Sequence, residues 1–290
     1  MNETLNDWLR QAAEERWAVP HFNISNFVQL KGVLAACMEA HTPVMIGTSE
    51  GEADFIGFRM ARHWIDAAEE ETGLAVFLNA DHFHSFEKVA AALDAGYDSA
   101  LIDLSKKRVE DNSAETRRVV DHAHAKDRAI SIEGELGYLV TESSKIYKEA
   151  VEIPPESLTD PDAARAFVET TGVDRFAPAV GNLHGIAANM PQLDFERIAA
   201  IRAAVPANVA LVLHGGSGIP DDQMRRAIEL GFNNIHVSTE IRVAYTDALR
   251  AALAAMPDET TPYKFYKPVV EAVRIKAMEK LQLFGSINRI

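Results

Sequence analysis

The hydrophobic and polar positions of this chain repeat as one unit: a short apolar run, a turn and then an amphipathic stretch. Most of the apolar runs, such as Val44-Met45-Ile46 and Leu211-Val212-Leu213, are continuous. Continuous runs of this length are typical of parallel strands that are covered on both faces. The eight predicted strands span residues 19–24, 43–48, 74–79, 99–103, 129–133, 175–180, 210–214 and 234–238.

Helical patterns lie between these runs, over residues 27–40, 87–95, 109–126, 160–171, 195–205, 221–230 and 240–256. Gly96, Gly172 and Gly231 directly follow three of them, as expected where a helix ends in a left-handed residue. Eight strands that alternate with these helices in about 250 residues predict a (β/α)8 TIM barrel. A doubly wound open sheet is the alternative, because alternation alone does not prove closure.

Two further segments flank the repeated units. An amphipathic helix is predicted over residues 1–16, and an extension over residues 263–290 carries a second helix, residues 267–283. We expect this last helix to pack on the outside of the barrel or on a partner subunit. No linker or low-complexity tract interrupts the pattern, so we expect one domain, residues 1–290.

The net charge of the chain limits the classes of partner that it can bind. The chain has 29 Lys and Arg residues against 43 Asp and Glu residues, a formal charge of −14 at pH 7, which argues against nucleic acid or an anionic membrane as the main partner. With no signal peptide and no run of eighteen apolar residues, we expect a cytoplasmic protein. The single cysteine, Cys37, excludes a disulfide framework and a cysteine-based zinc site.

Histidines stand where three of the predicted strands end. His82, His184 and His214 follow the third, sixth and seventh strands, and the active site of a barrel lies at these ends. A single buried histidine is as easily structural, but three that converge on one rim form the ligand set of a catalytic zinc ion.

Two of these histidines lie in glycine-rich segments. The segments are Gly181-Asn182-Leu183-His184-Gly185 and His214-Gly215-Gly216-Ser217-Gly218. Glycines after the late strands, near a helix N-terminus, let backbone N–H groups approach an anion closely. Either segment alone is better interpreted as a tight turn, but the histidine in each favours a phosphate site.

Several motifs together resemble the class II, metal-dependent ketose-bisphosphate aldolases, which include fructose-bisphosphate and tagatose-bisphosphate aldolases. The similarity runs in register from about Val19 to about Arg250 and includes Ala80-Asp81-His82, Glu133-Gly134-Glu135-Leu136-Gly137 and Leu213-His214-Gly215-Gly216-Ser217-Gly218-Ile219. The resemblance implies a lyase of carbohydrate metabolism, one zinc ion per chain, a phosphorylated sugar substrate and a homodimer or homotetramer. A monovalent cation is a further candidate cofactor.

The resemblance also implies residue roles. His82, His184 and His214 match the zinc ligands, and Glu135 matches a glutamate that approaches the metal in some states. Asp81 matches the acid/base that exchanges a proton with the C4 hydroxyl of the ketose. The residues that match substrate-binding positions are Asn23, Ser49, Gly185, Gly215, Gly216, Ser217, Val237, Ser238 and Thr239, with Ser49 at the second phosphate and the others, apart from Asn23, at the phosphate of dihydroxyacetone phosphate.

The sequence departs from the family in four places: at His236, in the loop after the fifth strand, in residues 186–190 and at Leu104-Ser105-Lys106. The first two concern candidate catalytic residues. His236 stands where the family has a substrate-contacting asparagine. In the loop after the fifth strand the family has a pair of glycines and a glutamate that acts on carbon. Here Ser143 takes the glutamate position, and Glu142 is the neighbouring candidate for the base.

Three functions are therefore carried forward. The first is a zinc-dependent aldolase that releases dihydroxyacetone phosphate through a metal-stabilised enediolate, with Asp81, Glu142 and His236 as catalytic candidates. The second is a non-catalytic barrel that binds a sugar phosphate. The third is a metal-dependent isomerase or epimerase of a sugar phosphate, because the same enediolate serves that chemistry.

Overall fold

The computed structural model describes residues 3–290, in which eight parallel strands close into a barrel. The barrel strands are β1 (Val19–Asn23), β2 (Val44–Ser49), β3 (Val76–Phe83), β4 (Ser99–Ile102), β5 (Ser131–Leu136), β7 (Arg175–Pro178), β9 (Ala210–Leu213) and β10 (Phe232–Val237). Their order around the barrel is β1-β10-β9-β7-β5-β4-β3-β2. The pairing of β1 with β10, His21 opposite His236, closes the ring, so the (β/α)8 barrel is confirmed and the open sheet is wrong.

The helices surround this ring. They are α1 (Leu5–Glu15), α2 (Phe27–Ala40), α3 (Glu50–Ile56), α4 (Phe58–Thr72), α5 (Phe86–Asp94), α6 (Val109–Lys126), α7 (Pro161–Thr171), α8 (Phe195–Ala204), α9 (Asp221–Glu229), α10 (Thr239–Ala255) and α11 (Pro262–Leu283). Two of the predicted helices, residues 27–40 and 109–126, have the observed bounds. Among these helices of residues 3–290, none is long and apolar enough to cross a membrane.

The terminal helices cover different parts of the barrel. In α1, Leu5, Trp8 and Leu9 pack beneath the strands against Trp17 and Val19, so the helix closes the end opposite the C-terminal rim. Residues 1 and 2 of the predicted helix lie outside the described residues. At the other terminus, α11 packs on α2 and α10. Of the two expected arrangements, packing on the outside of the barrel and packing on a partner subunit, the structure has the first. The single domain over residues 1–290 stays a prediction.

Two features were not predicted. No helix was assigned between the second and third strands, where α3 and α4 lie with Gly57 at their junction. Two short strands, β6 (Ile146–Tyr147) and β8 (Ile186–Ala187), pair with each other outside the barrel. This small sheet ties the loop after β5 to the segment after β7 and so holds the loop over the C-terminal rim.

The barrel interior is polar below that rim. Arg175 of β7 is fully buried, and its guanidinium donates to Glu133 Oε2 at 2.6 Å, Asn79 Oδ1 at 3.1 Å and Asn234 Oδ1 at 3.2 Å. Alternate residues of a parallel strand face the same side. The strands that turn these polar groups inward therefore turn the residues two places later inward at the rim.

Candidate metal centre and catalytic site

The three predicted ligand histidines converge at the C-terminal rim. His82 lies near the end of β3, His184 follows β7, and His214 is the first residue after β9. One ring nitrogen from each lies within 4.8 Å of the others. His82 adopts a left-handed backbone conformation, φ 52°, which is uncommon for a residue with a side chain and often marks a functional position.

Two carboxylates, the half-buried Asp103 and the buried Glu133, fix which nitrogen of the His82 and His214 rings faces the site. Asp103 Oδ2 accepts from His82 Nδ1 at 2.8 Å, and Glu133 Oε1 accepts from His214 Nε2 at 2.6 Å. A carboxylate that accepts the N–H of one ring nitrogen leaves the lone pair on the other. The two free nitrogens, His82 Nε2 and His214 Nδ1, face each other at 3.1 Å.

This donor set fits a tetrahedral zinc ion. Two ring nitrogens at 3.1 Å share either a proton or a metal ion, and two nitrogens bound to one tetrahedral zinc lie about 3.3 Å apart, given Zn–N bonds of about 2.05 Å. Histidines whose second nitrogen donates to a carboxylate are the usual ligands of catalytic zinc. His82, His184 and His214 therefore suit the metal that the sequence predicted.

The carboxylates also set the charge of the site. Burial lowers the pKa of His82, but the nearby carboxylates of Asp81, Asp103 and Glu135 outweigh burial and raise it to about 10. Burial and the two neighbouring imidazoles hold the pKa of His184 well below its usual range. The centre is thus a cation site in which the negative charge lies around His82.

Glu135 lies behind the triad rather than within it. Its carboxylate is buried, and Oε2 is 3.6 Å from His82 Nδ1 and without a hydrogen-bond partner. Burial and the charge of Asp103 raise the pKa of Glu135 well above its usual range. Ligand-type atoms of Glu135, His82 and Asp103 lie within 4.8 Å of one another. Glu135 is thus next to a predicted ligand, and its own predicted role at the metal stays a prediction.

Asp81 stands beside the triad at the end of β3. Asn23 Nδ2 donates to its Oδ2 at 2.8 Å, and its Oδ1 lies 3.3 Å from His236 Nδ1. Oδ1 has no hydrogen-bond partner in the structure. Burial opposes ionisation, but the charge of His82 and the contact with the His236 ring outweigh it and hold the pKa of Asp81 well below its usual range.

His236 points into the barrel and borders the same cavity. Its ring stacks on His21 of β1, with centroids 3.6 Å apart and planes 7° from parallel. Its Nε2 lies 3.2 Å from Asn234 Oδ1. Gly47 of β2 makes this stack possible, since a Cβ there would lie 2.3 Å from His21 Cε1. The sequence analysis did not single out His21. The only indication of a role was that a titratable residue lies within an otherwise apolar strand.

The glycine-rich segments form one wall of the cavity. Gly185 and Gly215 both have positive φ, and a Cβ on Gly215 would lie 1.9 Å from Leu183 O, so only glycine fits there. Facing them, α10 begins without a side-chain cap, and the buried Ser238 Oγ has no hydrogen-bond partner among residues 3–290. An uncapped helix N-terminus with an unpartnered hydroxyl suits an anion.

The cavity brings together most of the predicted site. It holds about 320 Å³ of empty space, and its lining includes Asn23, Asp81, His82, Ser143, His184, Gly185, His214, Gly215, Ser217, His236, Ser238 and Thr239.

Five predicted residues stand apart from that lining, and one of them is Glu135, described above. Glu142 is exposed and pairs with Lys145, while its neighbour Ser143 faces the cavity. Val237 is buried in the hydrophobic core, and Gly216 N donates to His236 O at 2.9 Å. Ser49 Oγ donates to Glu52 Oε2 at 2.9 Å. Their predicted roles stay predictions.

Comparison with known proteins places this arrangement. A family model described as "Fructose-bisphosphate aldolase class-II" matches residues 3–289. The chain belongs to the class II fructose-bisphosphate aldolase family. The predicted membership and the predicted lyase activity are confirmed.

Individual relatives agree with this membership. The chain is 37% identical to the fructose-bisphosphate aldolase of Geobacillus stearothermophilus, over 99% of this chain and 98% of the relative. Among solved structures, the YdjI aldolase of Escherichia coli K12 is 32% identical with a TM-score of 0.83, over 100% of this chain and 99% of that one. The fructose-bisphosphate aldolase of Campylobacter jejuni, 19% identical with a TM-score of 0.82 over 99% and 95% of the two chains, shares the fold.

Proposed function

We propose that this aldolase is zinc-dependent and cleaves a phosphorylated ketose to dihydroxyacetone phosphate and an aldehyde. The observation that carries the proposal is the convergence of His82, His184 and His214 next to Asp81, with His82 Nε2 and His214 Nδ1 3.1 Å apart. His82, His184 and His214 would hold the ion. A divalent cation bound there supplies positive charge that stabilises the oxygen which becomes negative as the carbon–carbon bond breaks.

Asp81 moves the proton at the aldehyde side of that bond. Asn23 Nδ2 holds one carboxylate oxygen, so the carboxylate cannot rotate freely, and the unpartnered Oδ1 is available to accept the C4 hydroxyl proton. The low pKa of Asp81 keeps it ionised before cleavage. A carboxylate positioned in this way accelerates proton transfer by about 10²–10⁴-fold.

The glycine wall and the start of α10 orient the other end of the substrate. Gly185, Gly215, Ser217 and Ser238 border the cavity, and the N-terminus of α10 favours a phosphate charge. Proton transfer to carbon by Glu142 requires the loop after β5 to rearrange, because this side chain lies outside the cavity. Homo-oligomerisation, a cytoplasmic location and a monovalent cation stay predictions.

Metal analysis and a retro-aldol assay on matched variants test the proposal. His214→Ala is expected to lose zinc and activity together. Asp81→Asn is expected to keep near-stoichiometric zinc while kcat for dihydroxyacetone phosphate release falls at least about 100-fold. Full zinc content in His214→Ala, or an unchanged kcat in Asp81→Asn, contradicts the assignment.

A further inference from the structure

The proposed function defines where the aldehyde fragment of the substrate lies, and an inference about that fragment rests on the proposed function. The glycine wall after β7 and β9 and the start of α10 take the phosphate of the dihydroxyacetone fragment. Asp81 acts at the C4 hydroxyl, so the aldehyde fragment lies on the other side of Asp81, toward β1 and β2. Asn23 of β1 contacts Asp81 directly, and Ser49 of β2 is paired in register with it.

Glu52 of α3 occupies this side of the site. Its Oε2 accepts from Ser49 N and Ser49 Oγ, both at 2.9 Å. Its Oε1 accepts from Ser25 Oγ at 2.7 Å and from Arg242 Nη2 at 2.5 Å. A carboxylate offers about four lone-pair sites. These four close contacts therefore saturate Glu52, and Asn23 Nδ2, 3.5 Å from Oε2, adds a fifth and weaker one.

The donors around Glu52 are those that an anion would need. A serine hydroxyl, a backbone N–H and a guanidinium are the usual partners of a phosphate group. Here the chain's own carboxylate takes all of them, and Glu52 is only 7% exposed. Arg242 is neutralised by this contact. A terminal phosphate on the aldehyde fragment would meet a buried negative charge and no unused partner in this cluster.

We propose that the substrate is a ketose that carries phosphate only at its dihydroxyacetone end, so that the aldehyde released is an unphosphorylated polyhydroxy aldehyde. Glu52 is the residue that determines this specificity, because it fills the donor cluster and repels a second phosphate. Ser49, which the family resemblance places at the second phosphate, serves instead to hold Glu52.

Aldol condensation measures this preference directly. Zinc-loaded protein is given dihydroxyacetone phosphate and one of two matched aldehydes, glyceraldehyde or glyceraldehyde 3-phosphate, and then erythrose or erythrose 4-phosphate. Within each pair the aldehydes differ by the phosphate alone. We expect kcat/KM to favour the unphosphorylated aldehyde at least about tenfold, since bringing like charges together at a binding surface is strongly disfavoured.

Two variants test the role of Glu52. Glu52→Gln removes the charge and keeps the size of the side chain, so it is expected to move the preference at least about tenfold toward the phosphorylated aldehyde. Asp54→Asn is the matched control, because Asp54 lies on the same helix, is exposed and forms an ion pair with Lys88 away from Glu52. This control is expected to leave the preference unchanged.

The outcomes separate the inference from the proposed function. A wild-type preference for the phosphorylated aldehyde overturns the inference and leaves the aldolase assignment standing. A preference that Glu52→Gln does not shift overturns the role of Glu52. A further assay needs no aldehyde: NMR follows the exchange with solvent deuterium of a proton on the hydroxymethyl carbon of dihydroxyacetone phosphate, the carbon that becomes C3 of the ketose. Absence of this exchange in zinc-loaded protein overturns the proposed function itself.

Discussion

The properties of the metal centre come from the groups behind the three histidines. Asp103 Oδ2 accepts a hydrogen bond from His82 Nδ1–H, and this bond turns Nε2 toward His214. Asp103→Asn presents an amide that no longer draws the proton to Nδ1, so His82 loses its fixed tautomer. We expect the affinity for zinc to fall about 10–100-fold while the protein stays folded, as measured by competition with a chromophoric chelator.

A surface pair provides the control for this substitution. Asp66 lies 3.6 Å from His63, and both side chains are exposed, so Asp66→Asn removes a histidine–aspartate contact without touching the site. Its zinc affinity is expected to equal that of the wild type. Equal affinity in Asp103→Asn and Asp66→Asn would show that Asp103 does not orient the ligand.

Residues that directly follow strands were predictable, and those inside the barrel were not. His82, His184 and His214 stand at strand ends, where barrel geometry alone brings them together. His21 and Arg175 lie within strands that otherwise read as buried. A sequence pattern shows that such residues are inward-facing, but their partners, His236 and Glu133, are set by the register of other strands.

At the scale of strands, Arg175 links four of them through one buried guanidinium. It reaches Glu133 on β5, Asn79 on β3 and Asn234 on β10 from its own place on β7. In Arg175→Met the carboxylate of Glu133 remains buried without its cation. Removing one partner of a buried ion pair costs about 3–5 kcal/mol, and we expect the free energy of unfolding, measured in urea, to fall by that amount.

A double variant distinguishes this charge effect from lost packing. Arg175→Met leaves the negative charge of Glu133 buried without a partner, and Glu133→Gln removes that charge. The two substitutions together are therefore expected to lower the free energy of unfolding by less than the sum of their separate effects. Strict additivity would show that Arg175 acts by packing alone.

The contact between α2 and α11 depends on a glycine. A Cβ on Gly32 would lie 2.6 Å from Val273 Cβ on α11, whereas a Cβ on Gly51 of α3 would meet nothing within 4 Å. Gly32→Ala therefore forces the helices apart and is expected to lower stability by about 1–3 kcal/mol. Gly51→Ala is expected to raise it by about 0.5–1 kcal/mol. Thermal unfolding of both variants checks this, and equal shifts would contradict the close packing.

Elements with a clear period were predictable, and those set by tertiary contacts were not. The apolar spacing of residues 27–40 defined α2 to the residue. By contrast, β6 and β8 have two residues each and exist because Ile146 and Ile186 are brought side by side. A two-residue strand has no period to detect. The loop that this pair anchors carries Ser143 to the cavity and leaves Glu142 outside it.

At the scale of the whole molecule, closure of the barrel makes the site. His82 and His214 are 132 residues apart in the chain, and only the completed ring of strands places their nitrogens in contact. The sequence motifs predicted which residues meet, because each follows a strand and all strand ends share one rim. The contact of Glu52 with Ser49 is a local capping box at the start of α3, but its contacts with Ser25 and Arg242 depend on where α3 packs, and the motifs did not predict them.

This dependence on closure couples metal binding to folding. The three ligands are dispersed in the unfolded chain, so zinc binds the folded state and stabilises it by RT ln(1 + [L]/Kd), about 4 kcal/mol when free zinc is 1,000 times Kd. In the metal-free folded state the high pKa of His82 leaves a proton between His82 Nε2 and His214 Nδ1, 3.1 Å apart, and zinc replaces that proton when it binds. We therefore expect a chelator to lower the melting temperature of the wild type by several degrees and zinc to restore it. His184→Ala, which lacks one ligand but keeps this pair, is expected to respond much less. Identical melting temperatures with and without chelator, in wild-type protein shown to contain zinc, would mean that the metal binds away from these histidines.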